Sequence, residues 1–220
     1  MIARRNLLLG AGSLAALSMA PGRVRADCSY FGVSRPRNDG ISYRRFHGVA
    51  AKARTPLWSW AASLEMIFRE HRERVSQNSI VCQTLGCSPS GGLKMADLLM
   101  AVSGTYRNAE GGRFKVTSSV LSLDNDYSSW RGVTPYDVAR ALDVQEPVLI
   151  CNASHAMVMI SGRYGANHEN RMAICSGVVA DPFDPEIFRH LRDEELVPIG
   201  APMDAGRRGQ LRFICTVNVD

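Results

Sequence analysis

The chain has 220 residues, 45% hydrophobic and 21% charged, an ordinary globular composition that fits one domain or two tight lobes. Its formal charge of +5 is gathered at the N-terminus: Arg4, Arg5, Arg23 and Arg25 lie within the first 26 residues beside no acid, and the remainder carries 22 basic against 21 acidic side chains. That balance argues against a surface for nucleic acid or for an acidic membrane.

Residues 1–26 read as a signal peptide. Arg4 and Arg5 form a positive start, Leu7 to Ala20 is an apolar and small-residue run, and Val24-Arg25-Ala26 fits a cleavage site before Asp27. The Arg pair before "NLLL" partly matches a twin-arginine export signal. The competing reading is a buried N-terminal helix. The run is too short and too rich in Gly and Ser to span a bilayer comfortably, and no later run is long enough for a stable membrane anchor. An exported chain, periplasmic or secreted, is therefore expected to begin near Asp27.

Residues 27–54 are polar and broken by Gly and Pro, with at most short strands such as "ISYRRFHGVA". A helix is predicted from Ser59 to about Arg72, with Ala61, Leu64, Ile67 and Phe68 on one face. Pro56 suits the approach to a helix rather than its interior. "VSQNSIVCQTLG" predicts a second helix with Ser76 as N-cap. "GGLKMADLLMAVSG" gives a third, and "TPYDVARALDVQ" a fourth with Thr134 as cap and Pro135 at the first helical position. "SLDNDYSSWRGV" reads as a surface loop joining two halves. After Gln145 the pattern turns strand-like in "PVLICNA", "AMVMISGRY", "MAICSGVVAD" and "LRFICTVNV". Helices first and strands later predict an α+β fold rather than alternating βαβ units.

All six cysteines follow the leader: Cys28, Cys82, Cys87, Cys151, Cys175 and Cys215. In an exported chain they permit up to three disulfides. Cys82 and Cys87 are the favoured pair, because Gly86 in "CQTLGC" helps a tight loop close. Cys151, Cys175 and Cys215 end apolar runs and fit buried thiols equally well. No paired C-x-x-C knuckle indicates zinc. His47, His71, His168 and His190 show no ligand-like spacing, and "DPFDP" is a poor calcium cage. No metal or cofactor is expected. "FREHRER" reads as the solvated end of the first long helix, not as a binding patch.

Three stretches, in order, resemble the papain-like cysteine peptidases, specifically their compact bacterial branch. They are "PLWSWAASLEMIF" at a helix start, "SHAMVMISGRY" as a His-led strand, and "GVVADPF" as a strand ending in an acid. The resemblance implies a papain-like fold, with a helical lobe over 27–132 packed against an antiparallel β lobe over 133–220 and a cleft between them. It also implies catalytic positions at Ser59, His155 and Asp181. A nucleophile at a helix N-terminus feels the positive end of the backbone dipole, an imidazole opposite takes its proton, and a third group fixes the imidazole.

Two positions depart from the family. Ser59 stands where the family has Cys, and Ala53 stands six residues earlier, where a Gln completes the oxyanion hole. Lys52 and Arg54 flank Ala53. A Ser hydroxyl needs its base already placed during attack, whereas a Cys is partly ionised near neutral pH. The chain is thus expected to be a peptidase homologue with a degenerate site, weakly active or inactive, that binds a peptide or protein in its cleft. An active hydrolase with a Ser59–His155–Asp181 triad and an interaction scaffold without cleft function are the alternatives. Read singly, Ser59 also suits a helix N-cap, Asp181 a turn before Pro182, and Trp58 and Trp60 packing beside the cleft.

Overall fold

The computed structural model describes residues 28, 33–87, 95–122, 135–152, 155–166, 172–192, 195 and 211–220. The expected leader (1–26), the cap at Thr134 and nearly all of the joining loop lie outside the described residues.

Among the described residues eight strands form one sheet: β1 (Arg37–Gly40), β2 (Thr105–Arg107), β3 (Arg113–Ser122), β4 (Val148–Asn152), β5 (Ala156–Ala166), β6 (Met172–Asp181), β7 (Asp184–His190) and β8 (Leu211–Val219). The order is β2-β3-β8-β4-β5-β6-β7, with β1 paired to β5 as well. Every pairing is antiparallel. Among the described residues five α-helices accompany them: α1 (Tyr43–His47), α2 (Ser59–Glu70), α3 (Gln77–Leu85), α4 (Met95–Ala101) and α5 (Pro135–Asp143). The architecture is α+β.

The sheet is covered on both faces. All five residues of β4 are buried, and alternate ones point to opposite sides. Leu149 and Cys151 join the core beneath α2 and α3, with Leu64, Ile67, Phe68, Val158, Phe213 and Cys215. Val148 and Ile150 join a second core beneath α5, with Val138, Leu142, Met157, Met159 and Ile214. Burial on two faces is why these strands read as continuous apolar runs. Every residue of α2 from Ser59 to Phe68 is buried, so this helix is enclosed on all sides rather than half exposed.

Four expectations need correction. The chain does not divide at residue 132 into a helical and a β part. β2 and β3 lie in the first stretch, α5 lies in the second, and β8 stands between β3 and β4, binding the two together. "SYRRFH" is helical, not extended, because Ser42 caps it by accepting the Arg45 N–H at 3.3 Å. Ser59 is the first helical residue of α2 and not its N-cap, a position held by Trp58. The disulfide joins Cys28 to Cys175, 147 residues apart in sequence, while Cys82 and Cys87 are free thiols along with Cys151 and Cys215. Gly86, at φ 80°, ends α3 with its N–H on the Cys82 carbonyl; it caps a helix rather than closing a disulfide loop.

Candidate functional site

A 3-10 turn at Pro56–Trp58 delivers the chain into α2, and Ser59 opens that helix at φ −55°, ψ −38°. The residue is 5% exposed. The hydroxyl oxygen accepts the backbone N–H of Ala156 at 3.1 Å, across the gap from helix to sheet. That N–H belongs to the residue after His155, so the start of α2 meets the start of β5 at the imidazole-bearing corner.

His155 is held on two sides. Its Nε2 lies 2.9 Å from Asp181 Oδ2, and its ring packs on Phe183 with centroids 4.7 Å apart. Asp181 closes β6 and sits in the turn into β7. Its other oxygen accepts the Phe183 N–H at 3.0 Å, and Arg189 Nε reaches Oδ2 at 3.1 Å. Burial acts to raise the Asp181 carboxyl, but the bonds from His155, Phe183 and Arg189 outweigh it and hold the group below its ordinary value. Asp181 is therefore ionised near neutral pH and can only accept. The turn-forming and imidazole-facing readings of Asp181 hold together, since one oxygen serves the turn and the other the ring.

The second departure has a defined setting. Ala53 donates its N–H to the Pro182 carbonyl at 2.8 Å, tying this stretch to the Asp181 turn. On either side of Ala53 the backbone is gripped by the buried carboxamide of Gln77. Gln77 Oε1 accepts the Arg54 N–H at 3.0 Å, and Nε2 donates to the Lys52 carbonyl at 2.9 Å and to Glu65 Oε2 at 2.7 Å. Lys52 and Arg54 are exposed. The side-chain amide that holds this segment comes from α3, and it is spent on backbone and on Glu65.

Sequence reasoning thus named three residues that the fold brings to one corner. It missed the roles of Gln77, Phe183 and Arg189, which organise that corner; the pattern around Gln77 signals a helix capped by Ser76. Ser76 does cap α3, accepting the Ser79 N–H. Trp60 is 4% exposed and packs in the core beneath the sheet, with Trp58 partly buried beside it. Among the described residues no group of His, Cys, Asp or Glu is arranged to hold a metal ion, and no helix is long and apolar enough to cross a membrane.

No protein-family model matches the chain, and no curated protein matches it. Among solved structures, one similar chain is described as the crystal structure of a double glycine motif protease from an AMS/PCAT transporter in complex with the leader peptide. The match has 12% identity and a TM-score of 0.37, covering 81% of this chain and 96% of that one.

Proposed function

We propose that this chain is an exported papain-like peptidase homologue that binds an extended peptide and hydrolyses it poorly or not at all. The observation that carries the reading is the asymmetry of the corner. The imidazole–carboxylate half is assembled, with His155 on Asp181 at 2.9 Å, while the helix half carries a hydroxyl at Ser59 that accepts the Ala156 N–H. A thiolate at a helix start is a strong nucleophile; a hydroxyl there is weak unless its proton is taken during attack. Ala53 stands at the place of the family's oxyanion-hole Gln, and loss of one such donor alone typically lowers turnover about 10²–10³-fold. Phe183, 43% exposed, packs on His155, so apolar surface borders the imidazole. That surface suits apolar side chains of a peptide. The N-terminal pattern and the Cys28–Cys175 disulfide support export, since disulfides persist in oxidising compartments.

The test restores what is missing. Ser59→Cys, alone and with Ala53→Gln, is incubated with a peptide pool. Cutting by the double variant and little by the parent supports the reading; parent activity equal to the double variant's overturns it. The assembled His155–Asp181 pair favours one second reading, a serine-using hydrolase in which Ser59 attacks, His155 takes its proton and Asp181 orients the ring. A fluorophosphonate probe that labels the parent at Ser59 and spares Ser59→Ala would select it.

A further inference from the structure

The hydrogen bonds around His155 close into a ring. From the imidazole, Nε2 meets Asp181 Oδ2 at 2.9 Å, and the same oxygen receives Arg189 Nε at 3.1 Å. Arg189 then forks onto Glu195, at 2.7 Å to Oε2 and 2.9 Å to Oε1. Asn152 Nδ2 donates to Glu195 Oε1 at 3.4 Å. The circuit returns to its start through the Asn152 side chain, whose Oδ1 accepts the His155 backbone N–H at 2.9 Å. The Asn152 N–H also donates to the His155 carbonyl at 3.1 Å. Four separate segments contribute: the end of β4, the start of β5, the end of β6, and β7 with Glu195 just beyond it.

We infer that Arg189 and Glu195 are positioning residues for His155, gripping the imidazole through Asp181 and its backbone through Asn152, so that Nε2 carries the proton and Nδ1 is the basic nitrogen. The chemistry supports one direction of hydrogen bonding around the ring. An ionised carboxylate only accepts and a guanidinium only donates, so Nε2 must be the donor to Asp181. Glu195 is 1% exposed, and a bidentate guanidinium is the partner that makes such a buried carboxylate tolerable. The Arg192 N–H adds a further bond to Glu195 Oε2 at 2.9 Å. A buried ionic fork of this kind is a poor source of stability compared with apolar packing, so its value lies in geometry. A neutral imidazole with Nδ1 unprotonated is the state that a nucleophile's proton requires. The catalytic meaning rests on the function proposed above; the tautomer does not.

The test reads the tautomer directly. The full chain, with 15N in its histidine rings, is examined by long-range 1H–15N correlation at neutral pH, and His155 is assigned by His155→Gln. The expected result is a single Nε2–H tautomer for His155. A mixed population or an Nδ1–H ring in the parent overturns the inference without any further variant. Arg189→Met alone leaves Glu195 buried and unpaired and is at risk of not folding. The decisive variant is therefore Arg189→Met with Glu195→Gln, and Arg189→Lys serves as a second, keeping the charge and removing the fork. Loss of the single tautomer in either folded variant supports the inference; its retention in both overturns it. In the Ser59→Cys/Ala53→Gln background the same paired change is expected to lower kcat by about 10²-fold, the scale of a general base, with little change in KM. A background that never cuts would sink the proposed function and leave the tautomer result to decide the ring.

Discussion

The hydroxyl of Ser59 and the backbone N–H of Ala156 are joined at 3.1 Å, and both residues are buried, at 5% and 3% exposure. The bond spans 97 residues and fastens α2 to β5. Replacing Ser59 by Ala removes the acceptor and leaves a buried N–H unsatisfied, a loss of about 1–3 kcal/mol. Ser59→Cys keeps a weak acceptor of similar shape and should lose less. Urea unfolding checks both. A Ser59→Ala midpoint equal to the parent's would mean that the hydroxyl holds nothing.

This bond also marks how far the sequence reached. Ser59, His155 and Asp181 were legible because each sits in a short stretch with its own pattern: an aromatic-flanked helix start, a His-led apolar strand, an acid before proline. Helix α3 was legible from Ser76, and β4, β5, β6 and β8 from apolar runs that reflect burial on two faces. β3 was not, because Lys115, Thr117, Ser118 and Ser119 dilute its apolar signal. The edge strand β7, "DPEIFRH", carries a proline and charges that deny the usual strand pattern. Arg189 and Glu195 belong to no motif, and Arg189 reaches Asp181 only because β7 folds back beside β6. The disulfide failed for the opposite reason: Cys82 and Cys87 are near in sequence, while Cys28 and Cys175 are brought together by the fold across 147 residues.

Gln77 should be among the most sensitive polar residues outside the corner itself. Its carboxamide makes three bonds, to the Arg54 N–H, the Lys52 carbonyl and Glu65, and Glu65 in turn holds Arg69 at 2.6 Å. Gln77→Ala strips partners from two backbone groups and a buried carboxylate together. A loss of about 3 kcal/mol is expected, near the upper range for single substitutions. Gln77→Glu should also destabilise, because it sets a second carboxylate against Glu65. Chemical denaturation measures both, and a Gln77→Ala loss below about 1 kcal/mol would show that the 52–54 segment holds without it.

The four free thiols should separate cleanly by burial. Cys87 is exposed and Cys82 half-buried, whereas Cys151 and Cys215 are buried and burial pushes both thiols far above their ordinary range. A thiol reagent added to the native protein should therefore modify Cys87 first and Cys82 after it. Cys151 and Cys215 should react only on unfolding. Peptide mapping after graded labelling reads the order. Reducing Cys28–Cys175 removes a cross-link over a very long loop and should lower stability by about 2–5 kcal/mol. Early labelling of Cys151 or Cys215 would contradict the packing beneath α2 and α3.

Acid should unfold the protein partly through the ring that holds His155. Burial acts to raise the Glu195 carboxyl, but the Arg189 fork and the Arg192 N–H overcome it and bring the group from 4.5 down to about 2. Asp181 is likewise held below its ordinary 3.8. A carboxylate whose value is depressed in the fold contributes stability that is complete above its unfolded value and is lost as pH falls through the folded one. For Glu195 that window runs from about 4.5 down to about 2. His71 acts in the same sense at higher pH, since burial lowers it from 6.5 and protonation then favours the unfolded chain. Comparing the parent with Glu195→Gln isolates the carboxylate, because His71 is common to both. At neutral pH the variant should unfold at lower urea, and the two midpoints should converge as pH drops toward 2. A difference that stays constant between pH 7 and pH 2 would mean that Glu195 does not carry its charge into the fold, and the ring as drawn would lose its anchor.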